Sequence, residues 1–441
     1  MMTFGFELAP SDAALWTILC ASLSNASCAI LGCYLLLRRM SLLGDAISHS
    51  ILLGIAGAFL LTGSIQILPM LVGALVVGLL TVALTETLHG AGNVPEDASM
   101  GAVFTSLFAV GVVLIAMLPN VDLDPSCIWQ GLIELAPLDR VEIAGRYVPR
   151  VLLSLAPMLG ATLLFVGLLW KELKIVSFDP QLARSMGIPA RVVHYLLMAM
   201  VAAVTVTSFE AVGSILVVAM VVVPPATAHL LTDRLGRMMV LAVGVGILSA
   251  IFGYELARAY DTSVSGMMAV VAGLQFCLAV AFAPRYGIIS RGTNNLLLSL
   301  RIIGDDIVAM LYRTEEHQSL SNEAVGASWN RCATAGGKGP AAWLALPQLV
   351  LTGAIRGNWT GCHLTEAGRA RAQSLVRAHR LWEAYLGEHF DLPLDHLHEA
   401  AERIEHYLGP KLQEQLATEL STPDRDPHGR EIPPAPDRPG A

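Results

Sequence analysis

Nine apolar segments, each about the length needed to cross a lipid bilayer, follow one another in the first two thirds of the chain. They fall at roughly 13–37, 42–61, 66–88, 99–118, 149–170, 191–209, 211–231, 237–258 and 264–284. A bilayer core needs about 20 apolar residues per helix and offers the backbone no water, so each segment is read as a helix that satisfies its own peptide groups. Of 441 residues, 54% are hydrophobic and 15% charged, a balance that excludes an ordinary soluble protein. The expected class is an all-α polytopic membrane protein of about nine transmembrane helices, followed by a mainly α-helical cytoplasmic part.

Positive charge sets the expected orientation. Arg38 and Arg39, then Lys171, Lys174, Arg184 and Arg191, then Arg234 and Arg237, then Arg285 and Arg291 follow spans one, five, seven and nine. With nine spans and an external N-terminus, all of them lie in the cytoplasm. The 119–148 connection, with Asp122, Asp124, Glu134 and Asp139, then faces outward. No basic region precedes the first apolar run, so that run is read as a retained helix and not as a cleaved signal. The net charge of -8 argues against general affinity for nucleic acid. Seven cysteines, at 20, 28, 33, 127, 277, 332 and 362, form no CxxC pair and are read mostly as small apolar residues.

One membrane segment carries chemistry. In GDAISHSILLGIA, residues 44–56, Asp45 and His49 are one helical turn apart and share a face. Ionisable groups in a span are costly and mark pathways. A carboxylate with an imidazole suits a divalent first-row ion, and two copies around a two-fold axis would supply four ligands. The same pair could instead fix helix packing or sit in a wet mouth. Glu210 and His229, at span edges, are read as interfacial residues.

Three stretches, in order, resemble the membrane permease subunits of manganese, zinc and iron ABC importers: RRMSLLGDAISHSILLGIA from Arg38, FDPQLARSMGIPARVVHY at 178–195, and EAVGSILVVAMVVVPPATAHLL from Glu210. The resemblance covers about residues 10–290. It implies that Asp45 and His49 line the metal path. It also implies that the segment holding Asp179, Ala183 and Gly187 is the cytoplasmic coupling segment, its small residues docking on an ATPase. No GxxxxGK[ST] occurs, since Gly336-Gly337-Lys338 is followed by Gly339. The ATPase is therefore expected on a separate chain, as is an extracytoplasmic metal-binding protein. The permease is expected to pair with itself or with a second permease subunit, and to be no enzyme itself.

After Pro284 the composition turns polar, and residues 285–441 hold eight of the twelve histidines. Expected divisions are a permease domain at 1–290, a polar part at 291–420 that divides near 363, and a Pro-rich tail at 421–441, extended or disordered. His379 and Glu383 are one turn apart. His398, Glu402, Glu405 and His406 follow i, i+4, i+7, i+8 spacing, which on a continuous helix shares one face. Six such groups form a candidate site for a divalent ion, manganese or iron in preference to thiolate-loving ions; the other reading is a charge-laced solvent face.

The stretch from about Asp306 to Pro433 resembles the iron- and manganese-dependent repressors of the diphtheria-toxin-repressor type. The resemblance implies a winged-helix-like region at 291–363 and a helical metal-binding and dimerisation domain at 364–420, with these six residues and Asp306 as metal ligands. Glu402 stands as in manganese-responsive members, so manganese is expected first, with iron or zinc as alternatives, and Ala309 is in place of a second acid. DNA binding is disfavoured. GPAAWLALPQLVLTGAI, at 339–355, aligns with the base-reading helix but has no Arg, Lys, Asn or Ser, and Pro347 is expected to kink or break it. Residues 285–441 carry 16 Lys/Arg and 19 Asp/Glu, a net of −3. The expected function is a metal-importer permease in the inner membrane, with a cytoplasmic metal-sensing domain that regulates it. The alternatives are a membrane-tethered metal-dependent regulator and, more remotely, an intramembrane metalloenzyme, which would need more ligands than Asp45 and His49 and a general base.

Overall fold

The computed structural model describes residues 10–40, 42–63, 67–117, 133–143, 146–321, 327–335, 340–358, 361–390, 393–421 and 424–435. The chain divides into two compact units, Met1–Ser290 and Arg291–Ala441.

The first unit is helical. Its elements are α1 (Pro10–Leu37), α2 (Leu43–Thr62), α3 (Ile67–Gly92) and α4 (Glu96–Ala116), then a hairpin of β1 (Arg140–Ile143) and β2 (Arg146–Pro149). There follow α5 (Arg150–Leu168), α6 (Trp170–Phe178), α7 (Pro180–Ser185), α8 (Ala190–Val212), α9 (Ser214–Leu231), α10 (Leu235–Tyr260) and α11 (Val264–Phe282). Among the described residues nine helices are long and apolar enough to cross a membrane, as the hydropathy pattern predicts.

Between membrane helices there is little hydrophobic driving force, so close packing of small residues holds them together. The backbones of α2 and α3 meet at Gly54 and Gly73, where a Cβ on Gly54 would lie 2.4 Å from the Gly73 carbonyl oxygen. Gly32 of α1 is pressed in the same way onto the Val221 carbonyl of α9. Polar side chains add a few ties. The Asn25 amide donates to the Gly246 carbonyl at 3.0 Å, joining α1 to α10, and Thr81 donates to Ser50 at 2.7 Å, joining α3 to α2. Cys20, Cys28 and Cys33 are buried as small apolar residues.

Asp122 and Asp124 lie outside the described residues. Glu134, in the same connection, accepts the Val264 backbone N–H at 2.7 Å and so caps the first turn of α11.

The second unit begins in α12 (Ile288–Ser321) and continues through α13 (Trp329–Ala335), α14 (Pro340–Leu351) and a hairpin of β3 (Ile355–Asn358) and β4 (Gly361–Leu364). Three helices and a two-stranded wing close on a core that includes Ile303, Ile307, Leu346, Leu349, Ile355 and Leu364. Pro347 does not break α14. It sits on the exposed face, while Leu346 and Leu349 are held in the core on the other. Two cysteines depart from the apolar reading: Cys332 and Cys362, fully buried, are disulfide-bonded and tie α13 to β4.

α15 (Glu366–His389), α16 (Leu394–Ile404) and α17 (Pro410–Glu419) complete the unit. Thr365 caps α15, its hydroxyl accepting from Gly368 N–H at 3.1 Å. The described part of the tail is neither extended nor disordered, as its composition suggested. Asp426 accepts from the N–H groups of His428 and Arg430, and Ile432 N–H returns to the Asp424 carbonyl at 2.9 Å. Arg377 and Arg380 of α15 hold the Pro433 and Glu431 carbonyls, and Ile432 packs with Leu381 and Leu420. Proline has little conformational entropy to lose, so its frequency here makes such a fold-back cheaper than for a flexible tail of equal length.

The contact at Gly54 gives a paired test. Gly54→Ala should destabilise the detergent-solubilised chain by roughly 1–3 kcal/mol through overpacking. Gly57→Ala, with nothing within 4 Å of its added Cβ, should not. Thermal unfolding of both variants decides; equal midpoints would mean the helices do not meet at Gly54.

Candidate functional site

Asp45 sits in the first turn of α2 and His49 in the next, both half-buried, with His49 Nε2 3.4 Å from Asp45 Oδ1. The imidazole is set by two rings of α4, stacked on Phe104 at 5.5 Å between centroids and edge-on to Phe108 at 5.9 Å. The helical spacing therefore brings the two groups together as expected. The aromatic wall comes from another helix and leaves no trace in the local spacing.

A second carboxylate–imidazole pair lies in the same unit, between Glu86 of α3 and His194 of α8, and the sequence reading missed it. Arg38, just past the end of α1, approaches His194 Nδ1 at 2.7 Å and donates to Ser177 Oγ at 3.2 Å. Residues 108 apart in sequence carry no local signal for such a pair. The only hint was that Glu86 and His194 are ionisable groups near span ends.

The expected coupling segment is α7 and its flanks. Asp179 caps α7, accepting the N–H groups of Gln181 and Leu182 at 3.0 and 2.9 Å, and Pro180 opens the helix. Gly187 ends the turn at φ +77, a left-handed conformation that favours glycine. Ala183 is fully buried, so it does not face outward as a docking residue would. Phe178, Leu182 and Met186 do. His229 is exposed, with its ring stacked on Tyr286; the Glu210 side chain lies outside the described ones.

In the second unit the candidate ligands separate into two groups. The first is His379, Glu383 and His398. His379 Nε2 is 3.0 Å from Glu383 Oε1 and 2.9 Å from His398 Nδ1, and His398 Nδ1 is 2.9 Å from the same carboxylate oxygen. The second is Asp306, Glu405 and His406, with His406 Nε2 3.2 Å from Asp306 and 4.0 Å from Glu405 Oε1. Glu405 joins them, because its Oε2 lies 2.6 Å from His379 Nδ1.

This arrangement corrects the single-face reading. α16 ends at Ile404, so Glu405 and His406 leave the helix in the following turn and point into the second group. Glu402 stays on α16, exposed and in neither group. Ala309 is buried on α12 beside Asp306 in sequence, without a donor atom to add. Asp305, missed in the sequence, lies 3.7 Å from His406 Nδ1 and is held by Arg371 at 2.5 Å. His428 of the folded tail comes within 4.0 Å of Glu383.

The electrostatics match the geometry. The Asp305 and Asp306 carboxylates beside its ring push the His406 pKa up to about 9. Burial opposes charge on His379, yet its bonds to Glu383 and Glu405 outweigh that and raise its pKa. Burial would raise the Glu383 pKa, but the two imidazoles pull it down to about 2. Each group thus gathers protons that hold negative oxygens together, and a divalent cation can take that role. Two ligands at right angles on an ion with bonds of about 2.1 Å lie roughly 3 Å apart, close to the spacing in the first group. Carboxylate and imidazole donors without thiolate suit a first-row divalent ion.

Comparison with known proteins follows the two units. Residues 11–283 match the ABC 3 transport family, and residues 365–434 match the iron dependent repressor metal binding and dimerisation domain. The chain is 44% identical over 283 residues to the manganese transport system membrane protein MntD of Bacillus subtilis, covering 64% of this chain and 96% of that one. It is 39% identical over 302 residues to the zinc transport system membrane protein TroD of Treponema pallidum, covering 68% and 82%. Among solved structures, PsaBC from Streptococcus pneumoniae in complex with Fab superposes with a TM-score of 0.53 at 30% identity, over 62% of this chain and 92% of that one. With nine membrane-length helices and a match over most of its length, the chain is a multi-pass membrane protein of the ABC 3 transport family, extended by a unit that resembles the metal-binding part of iron-dependent repressors.

Proposed function

We propose that this chain is the permease subunit of an ATP-driven importer of divalent metal, manganese in the first place, and that its second unit senses the imported ion. The observation that carries the reading is the pairing of a half-buried Asp45–His49 site in a membrane helix with two carboxylate–imidazole groups in the second unit. The manganese and zinc transport proteins it resembles support the same cargo. In this reading Asp45 and His49 take the ion in the path, while Phe104 and Phe108 hold the imidazole in place. A separate ATPase docks on the segment around α7, an extracytoplasmic metal-binding protein delivers the ion, and two permease chains surround the path. Asp179 and Gly187 shape the coupling segment, and Phe178, Leu182 and Met186 supply its outward surface.

Cytoplasmic metal would be held by His379, Glu383 and His398 and by Asp306, Glu405 and His406, with Glu402 brought in only by a movement of α16. A bound ion adds positive charge that the clustered carboxylates require once their protons leave. Metal occupancy then signals sufficiency and slows transport, a feedback loop within one chain. A DNA-reading role is the weaker alternative, since α14 offers phosphate and bases no charged group.

Four outcomes test this. In proteoliposomes with the ATPase, Asp45→Ala and His49→Ala should each lower ATP-dependent manganese uptake by roughly tenfold or more, the scale on which even hydrogen-bond partners of metal ligands act. Wild-type rates in both would make the pair a packing device.

Manganese titration of the full chain lacking Asp45 and His49 should separate the two groups. His398→Ala should weaken the first group alone, and Glu405→Ala both, because Glu405 touches each. Independent loss would show that Glu405 does not link them. His406 must release a proton to bind metal through Nε2, so the second group's affinity should fall by about tenfold per pH unit below its pKa. That fall should begin near pH 9, where the His406 pKa lies; a flat profile would remove His406 from the ligand set.

The feedback loop predicts that Glu405→Ala keeps transporting at high internal manganese, where the unaltered chain slows. Equal inhibition of both would sink the loop and leave the importer reading intact.

A further inference from the structure

α14 stands where a winged-helix unit carries its base-reading helix, and its outer face is apolar. Trp343, Leu344, Val350 and Leu351 are 53%, 60%, 47% and 87% exposed, with Pro347 exposed between them. They recur at intervals of three and four residues and so form one stripe, opposite the buried Ala342, Ala345, Leu346 and Leu349. No charged residue occurs from Gly339 to Ile355. Soluble units rarely leave a contiguous apolar helix face in water without a partner for it.

Along the chain, the stripe is flanked by cations. From Ala324 to Thr365 the chain carries Arg331, Lys338 and Arg356 and no Asp or Glu, although residues 285–441 as a whole are acidic. The approach to this unit has the same character. α12 starts at Ile288, six residues after the last span ends at Phe282, and its exposed Ile288, Leu296 and Leu297 lie in a stretch with Arg285, Arg291 and Arg301 and no acidic residue.

We propose that α14 docks on the cytoplasmic leaflet of the membrane that the chain already spans, its apolar stripe at the acyl boundary and its flanking basic residues on anionic lipid headgroups. The inference rests on the chain's being embedded in a bilayer and not on which metal it carries. Apolar helix faces with basic flanks bind anionic lipid interfaces, and tryptophan favours that boundary. Tethering to the last span keeps the unit near the leaflet, so even a weak affinity suffices. A second copy of the same face would set like charges against each other. Duplex DNA would find the flanking cations but no charged group along the helix itself, whose one amide is Gln348. Docking covers the face that a winged helix gives to DNA, so lipid and DNA would exclude one another.

The test uses the full chain with Cys127→Ser and Cys277→Ser, labelled with a fluorophore at Leu344→Cys. A reference label sits at Lys411→Cys, on the exposed side of α17. Both are reconstituted in vesicles of phosphatidylethanolamine and phosphatidylglycerol that contain nitroxide lipid. Quenching should be severalfold stronger at 344 than at 411, and should fall to the 411 level when Trp343→Glu and Leu351→Glu are added. Retained manganese binding by that variant shows that the unit is still folded. Equal quenching at 344 and 411 overturns the proposal. Self-quenching between 344 labels, relieved by unlabelled chain, would assign the stripe to a second copy instead. Protection of the 344 label by duplex DNA, without nitroxide quenching, would assign it to DNA.

Discussion

Inside a bilayer the chain must satisfy every backbone N–H and C=O by itself. That constraint makes the first unit a set of long helices, and it also sets how those helices meet. With no water to exclude, association depends on contact, so backbones approach wherever glycine removes the side chain, as at Gly54 with Gly73 and at Gly32 with Val221. Hydroxyls and amides then find partners within reach, as in Thr81 with Ser50 and Asn25 with Gly246. The polar groups that remain are few, and their placement is informative. Asp45 with His49, and Glu86 with His194 and Arg38, pair across or along helices instead of facing lipid alone.

The second unit uses charge differently, because water is available around it. His379 and Glu383 are buried together at the centre of α15, and Glu405 reaches them from the turn after α16. Because Glu405 touches both candidate groups, an ion held in one would bear on the other. The folded tail completes this core. Arg380 binds Glu316, the Glu431 carbonyl and Asp426, so the tail, α12 and α15 are held by one guanidinium.

The winged-helix-like region has a hydrophobic core and a disulfide-linked wing, while the outer face of α14 is apolar. Core packing and surface chemistry are separable, since buried Leu346 and Leu349 specify the fold whatever Trp343 and Leu351 display. A unit of this kind can keep its shape and change its partner, and a chain anchored in a membrane has lipid as its nearest one.

The sequence by itself determined the nine membrane-length helices, because hydropathy over 20 residues is a local property that a bilayer reads directly. It also determined that Asp45 and His49 share a face, since one helical turn separates them. The break in composition after Pro284 announced the second unit. Only the tertiary structure decided the rest. Glu86 with His194, Phe104 against His49, and Glu134 on the N-terminus of α11 join elements far apart in sequence, where no periodicity links them. Helical spacing placed His398, Glu402, Glu405 and His406 on one face, but α16 stops at Ile404, and a turn directs the last two elsewhere. Periodicity describes a helix only while the helix lasts. Where it ends, and which distant group then satisfies the side chains beyond it, is settled by packing among all the elements at once.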